Sequence, residues 1–221
     1  MQTQMPQPEV YQGQFGEFTI TDGDRQGVWV YRAGLMAIAL SFAAGVGLLI
    51  WSSQQPVLPA FVIPGLTILY GIFVLGLGVS LLTIHIYMVL LHRVLQLFWA
   101  VGAVAAIALV VTLHEPLPLV VIHYPASLLG IGFTFAALTG IFFKEAFCFN
   151  RAETKLLTPL VPIVLLGHLA GIIPAATNVM LLSLWAGLML IFAVRKWRQA
   201  TPDDIGDKSV FDYLHQQAVQ R

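Results

Sequence analysis

Charge is scarce in this 221-residue sequence: Asp, Glu, Lys and Arg make up 10% of it while 58% of its residues are hydrophobic. A soluble domain carries about a quarter charged residues. With a mean hydropathy of +0.82, a soluble globular fold is excluded and a polytopic membrane protein is expected. Eleven basic and eleven acidic residues cancel, so bulk charge implies no acidic partner. No basic patch or fold motif points to nucleic acid. The single cysteine, Cys148, rules out an internal disulfide or a CxxC site and leaves a packed, lipid-facing or modified thiol. Catalytic motifs are missing as well: there is no triad, HExxH, P-loop or GxGxxG after a strand. No carboxylate lies deep in an apolar run, as proton-coupled carriage usually requires. These absences weigh against an enzyme and against an ion-coupled carrier. No cleavable leader or transit peptide is recognisable, which favours a bacterial chain or a mature organellar one.

Long apolar runs are what the sequence has. Six approach the ~20 residues of a bilayer crossing, over Ala33–Trp51, Gly65–Leu91, Val94–Leu113, Leu119–Phe143, Leu156–Ile173 and Ala175–Val194. The fourth is expected to become helical after Pro125. Turn chemistry separates the runs: Ser52–Pro56 with Pro59 and Pro64, a tight turn at His92-Arg93, His114-Glu115-Pro116, and Pro174. The fold class expected is therefore an all-α membrane protein, a bundle of six transmembrane helices. Its parts are a polar N-terminal segment (1–32), a transmembrane domain (33–195) and a tail (196–221). Met1–Pro8 reads as disordered, and the aromatic stretch from Phe15 to Tyr31 as a hairpin or an interfacial strap around Asp22-Gly23-Asp24.

Charge placement orients the bundle. Six spans put the N-terminus, the second and fourth loops and the C-terminus on one side, and all eleven Lys and Arg fall there, from Arg25 and Arg32 to Lys208 and Arg221. The positive-inside rule places that side, with both termini, in the cytoplasm or stroma. Beyond Trp197, Thr201–Asp204 reads as a linker. Asp207 or Ser209 then caps a short amphipathic helix over Val210–Val219, with Phe211, Leu214 and Ala218 on one face.

Small residues recur every four positions at Gly132, Ala136 and Gly140, at Ala37, Ser41 and Gly45, and as Gly167-x-x-x-Gly171. This spacing lets helix backbones approach.

Six histidines are the candidates for a cofactor. His85 and His92, seven apart, would share a helix face. His168 sits about 12 residues into its span, about 18 Å from the inner end at ~1.5 Å per residue, and His123 enters the fourth span from the outside. His123 and His168 are the one pair placed at a common depth for haem or chlorophyll. No ligand-spacing motif supports them, so no metal and no cofactor is expected. An ionisable residue within a span is otherwise read as functional or as a helix–helix hydrogen bond. The remaining candidate is the connector between the fourth and fifth spans. Lys144, Glu145, Arg151, Glu153 and Lys155, among Phe142, Phe143, Phe147 and Phe149, read either as a solvated topological loop or as an interaction surface.

The stretch KEAFCFNRAETKLLTPLVPIVLLGHL (Lys144–Leu169) resembles an uncharacterised family of multi-pass membrane proteins of cyanobacteria and plastids, and VWVYR (Val28–Arg32) fits the same family. The resemblance covers the chain from about Phe15 to Trp197. It implies a photosynthetic organism and a thylakoid or bacterial inner membrane, and it brings no catalytic residue. The function expected is that of a non-enzymatic accessory or assembly factor whose partners are the bilayer and subunits of a photosynthetic membrane complex. The alternative is a small-molecule transporter or channel with inverted three-plus-three halves, suggested by Pro125, Pro159 and Pro162 near span starts.

Overall fold

The structure, a computed structural model, describes residues 9–219. The expectations for Met1–Pro8 and for the side chain of Ala218 lie outside the described residues. A two-stranded antiparallel hairpin, β1 (Val10–Gln12) and β2 (Glu17–Thr19), precedes α1 (Asp22–Ser52). Then come α2 (Val62–Thr83), α3 (Val89–Leu113), the short α4 (Leu117–His123), a 3₁₀ turn (Pro125–Ser127) and α5 (Leu128–Phe149). The chain continues with α6 (Ala152–Leu169), α7 (Ala175–Trp197), α8 (Thr201–Ile205) and α9 (Ser209–Val219). Six of these segments are long and apolar enough to cross a membrane.

The spans form a closed ring in sequence order. α1 packs on α2, α3 on α5, α5 on α6 and α6 on α7; α2 touches α3 more lightly, and α1 against α7 closes the circle. Each helix sends apolar side chains to the centre, among them Ile38, Leu77, Leu95, Leu138, Val161 and Met189. An aromatic knot fills the middle: Trp185 lies 4.6 Å from Phe42 and 5.7 Å from Phe135, and Phe135 lies 5.4 Å from Phe73. Lipid tails are as apolar as these side chains, so the ring is held by close packing and interhelical hydrogen bonds rather than by a hydrophobic drive.

Close approach occurs where small residues face each other, only partly where the four-residue spacing suggested. A Cβ added at Gly34 of α1 would stand 2.7 Å from the Gly76 carbonyl oxygen of α2, and one at Gly76 would meet the Gly34 carbonyl oxygen at 2.9 Å. Gly140 receives the side chain of Leu95, whereas Gly132 faces open space. Gly171 lies outside α6 and takes φ +66°. Its N–H donates to His168 O at 3.0 Å, and Ile172 N–H donates to Gly167 O at 3.1 Å. This Schellman pattern ends the helix, so the Gly167–Gly171 pair is a stop signal and not a packing face. Gly171→Ala is expected to lower stability by about 1 kcal/mol, measurable as a shift in unfolding midpoint in mild detergent.

Several span ends differ from the apolar runs. α1 starts at Asp22, well before Ala33, because Thr21 and Asp24 form a capping box: Thr21 Oγ1 accepts from Asp24 N–H at 3.2 Å while Asp24 Oδ2 accepts from Thr21 N–H at 2.8 Å. The Asp22-Gly23-Asp24 segment is thus a first helical turn, and the hairpin lies upstream of it. At 31 residues the helix is about 46 Å long at ~1.5 Å per residue, so it projects beyond a ~30 Å hydrocarbon core.

α2 stops at Thr83 although the sequence stays apolar to Leu91. Its carbonyl at Leu81 meets His92 Nε2 at 2.6 Å and accepts from Gln96 Nε2 at 3.2 Å, both reaching across from α3. Ile84 and Ile86 then bury in extended chain. His85 consequently lies in a loop and shares no helix face with His92, and His92-Arg93 belongs to the first turns of α3 rather than to a turn between spans. α6 runs unbroken through Pro159 and Pro162, so these prolines do not interrupt the span.

Candidate functional site

The charged residues assemble into a buried network at the end where the positive-inside rule puts the cytoplasm. Glu145, in the last turns of α5, follows Ile141 and Phe142 by four and three positions and shares their inward face. Its Oε1 accepts from Tyr31 Oη of α1 at 3.0 Å and from Lys144 Nζ at 2.9 Å; its Oε2 accepts from Lys196 Nζ of α7 at 2.7 Å. Both Glu145 and Lys196 have no solvent exposure. Lys196 also pairs with Asp204 of α8. Asp204 Oδ2 in turn accepts from Arg32 Nε at 2.8 Å and Nη2 at 2.6 Å. Arg32 Nη2 donates further to the Ala200 carbonyl at 3.1 Å.

A second branch joins α6. Glu153 Oε2 accepts from Arg195 Nη1 at 2.7 Å, and Glu153 Oε1 faces Arg151 Nη1 at 3.8 Å. Arg151, the N-cap of α6, also donates to Gln199 Oε1. The ring of Phe149 lies under three of the cations, with Lys196 Nζ at 4.2 Å, Lys144 Nζ at 5.2 Å and the Arg151 guanidinium at 5.7 Å. Burying an ion is costly unless it is paired and hydrogen-bonded. Lys196 meets that condition by aiming its ammonium at Glu145, Asp204 and, at 3.4 Å, Gln199.

The interaction surface expected over Lys144–Lys155 is therefore largely interior. Glu145 and Glu153 are buried, Lys144 and Arg151 keep a tenth of their side-chain surface in solvent, and only Lys155 among the five is exposed. Asn150 makes this possible: at φ 52° it closes α5 and lets α6 start at Ala152, so little loop remains to be solvated. Thr201–Asp204, expected as a linker, is mostly the short α8 and drives Asp204 under α1. Sequence reasoning did not single out Tyr31, Arg32, Lys196 and Asp204 as site residues. Only Glu145 carried a signal, through its helical phase with Ile141 and Phe142.

The two ends of the chain are laced together over this network. Lys208 Nζ donates to Asp24 Oδ2 at 2.8 Å and to Thr19 O at 3.2 Å. Asp207 accepts from Gln14 N–H at 2.6 Å and caps α9 by accepting from Ser209 N–H at 2.9 Å, as the sequence indicated. Phe15 stacks on Tyr213 at 4.0 Å, and Tyr87 Oη receives the Asp207 N–H. Beside Tyr87, burial pushes the half-buried His85 below its ordinary pKa of 6.5, an effect partly offset by Asp24. The folded loop then holds fewer protons than the opened one, so its stability is full above 6.5 and is lost as pH falls below it. Hydrogen-exchange protection factors at Ile84–Met88, corrected for the intrinsic rate at each pH, are expected to fall over that acid range, and a His85→Asn variant to lose the dependence.

At the opposite end the two cofactor candidates have separate partners. His123 Nδ1 meets Glu115 Oε2 at 2.9 Å at the surface, and His168 Nδ1 accepts from Asn178 Nδ2 at 3.3 Å across the α6–α7 turn. Among the described residues, no group of three or more His, Cys, Asp and Glu side chains is arranged to hold a metal ion.

A family model described as "Uncharacterized integral membrane protein (DUF2301)" matches residues 79–213, more than half of the chain. The chain belongs to this family. No curated protein and no solved structure matches it. The DUF2301 region takes in Glu145, Glu153, Lys196 and Asp204 of the network and all of Lys144–Leu169, whereas Tyr31 and Arg32 lie ahead of it.

Proposed function

We propose that this DUF2301 protein is a non-enzymatic accessory or assembly component of a membrane complex, in the photosynthetic membrane that the resemblance of Lys144–Leu169 implies. The observation that carries the reading is the self-contained charge network. Glu145, Lys196, Arg32 and Asp204 are engaged with one another and buried, which suits a fixed platform better than a turnover site. Around that platform stand exposed aromatics at the interfacial level: Trp29 with Trp197 at 5.3 Å, and Phe143 and Phe147. Aromatics of this kind anchor a protein at the membrane surface and are enriched in interfaces.

The test is purification of the tagged full-length protein in mild detergent, with mass spectrometry and an absorbance spectrum on the same peak. Co-elution with subunits of a membrane complex is expected. A lone, colourless protein would overturn the reading.

The transporter alternative draws support from the ring order, in which the first three spans and the last three follow one another around the circle. It requires a polar path to the midplane, and the centre of the ring is filled by apolar and aromatic side chains.

A further inference from the structure

The outer half of the bundle contains a cavity of about 430 Å³ between α1, α2, α4, α5, α6 and α7. Its walls include Leu66, Val121, Ile131 and Leu182, and its rim includes the exposed Leu58 and Ile122. This volume lies within the ~300–1,000 Å³ typical of ligand sites, which are apolar with a few polar groups that fix orientation. Here the polar side chains are Ser52 and Tyr70, whose hydroxyls are already engaged with Leu49 O and Thr134 Oγ1, and His168 and Asn178. Asn178 Nδ2 donates to His168 Nδ1, which leaves the ring proton on Nε2. Among the described residues nothing hydrogen-bonds to Nε2, and Asn178 Oδ1 is buried without a partner. A buried polar atom without a partner calls for a physical reason.

Charge narrows the occupant. Among the described residues no Lys or Arg lies at this end, so no permanent cation here neutralises a phosphate or carboxylate. Among the described residues Glu115 is the one acid at this end, and it is paired with His123. We propose that the cavity binds an uncharged amphiphile, with its hydrocarbon part among the leucines and a hydroxyl or carbonyl head at His168 and Asn178. This site is independent of the accessory reading, since it needs no protein partner.

The experiment uses the full chain in lipid nanodiscs and three probes that differ at one position of the same ring: para-octylphenol, octylbenzene and para-octylbenzoate. Saturable binding, read as a rise in unfolding temperature, is expected for the phenol, weaker binding for octylbenzene and none for the benzoate. His168→Leu should weaken the phenol roughly two- to tenfold, the worth of one neutral hydrogen bond, and abolish its advantage over octylbenzene. Val121→Phe in the wall and Leu58→Trp at the rim should each block binding, and either serves if the other does not fold. Equal binding of phenol and octylbenzene in the parent protein would show an apolar groove filled by any hydrocarbon and would overturn the proposal. Preference for the benzoate, or the absence of saturable binding by any probe, would also overturn it.

Discussion

Replacing Glu145 by Ala is expected to cost about 3–5 kcal/mol of stability, the range for removing one partner of a buried ion pair. The loss is larger than that of the methylenes alone because Lys196 would stay buried, with Asp204 as its one remaining carboxylate. Tyr31 Oη would lose its acceptor in the same step. Glu145→Gln, which keeps the shape and an oxygen for Tyr31, should lie between parent and Ala. The informative variant is the double substitution Glu145→Leu with Lys196→Met. Removing both ends leaves Asp204 with Arg32 and no unpaired buried ion, with the Tyr31 hydroxyl alone still lacking its acceptor, so it should recover much of what either single change loses. Denaturant unfolding in mild detergent reads all four proteins. A Glu145→Ala penalty below about 1 kcal/mol would mean that the pair is solvated in the membrane and that the network does not hold the ring.

Gly34→Val should be nearly as damaging through an unrelated cause. The new Cβ would stand 2.7 Å from the Gly76 carbonyl oxygen and 3.1 Å from the Ser80 nitrogen. Both are backbone atoms, so α1 and α2 must separate as rigid bodies. Overpacking typically costs about 1–3 kcal/mol, and a β-branched residue at a backbone crossing belongs at the upper end. Gly76→Val should behave alike. Gly47→Ala and Gly187→Ala, where an added Cβ meets nothing within 4 Å, should leave the unfolding midpoint unchanged. If all four behaved alike, the close α1–α2 crossing would not be the cause.

The six spans were legible because apolar length is a local fact that lipid and the insertion machinery read one segment at a time. Helix ends were not. Thr83 ends α2 because His92 and Gln96 from the next helix catch the Leu81 carbonyl, and no window of sequence contains that contact. The same holds for the network. In the sequence Asp204 sits in a polar tail and Arg32 precedes the first apolar run, which are ordinary places for solvated charges. Only the ring closure of α1 on α7 brings them to 2.6 Å. Glu145 carried a signal that the reading of the connector passed over, since its spacing from Ile141 and Phe142 points it inward.

Arg32 and Asp204 also have a consequence in time. α8 is made after the five spans that follow α1, so Arg32 waits 172 positions before its carboxylate exists. Until then Arg32 has no carboxylate partner, and the link from α1 to α8 cannot form. A nascent chain stalled before Thr201 would hold Arg32 without its carboxylate and Lys196 with Glu145 as its one carboxylate. Arrival of α8 is thus the step that completes the charge network around Arg32 and Lys196.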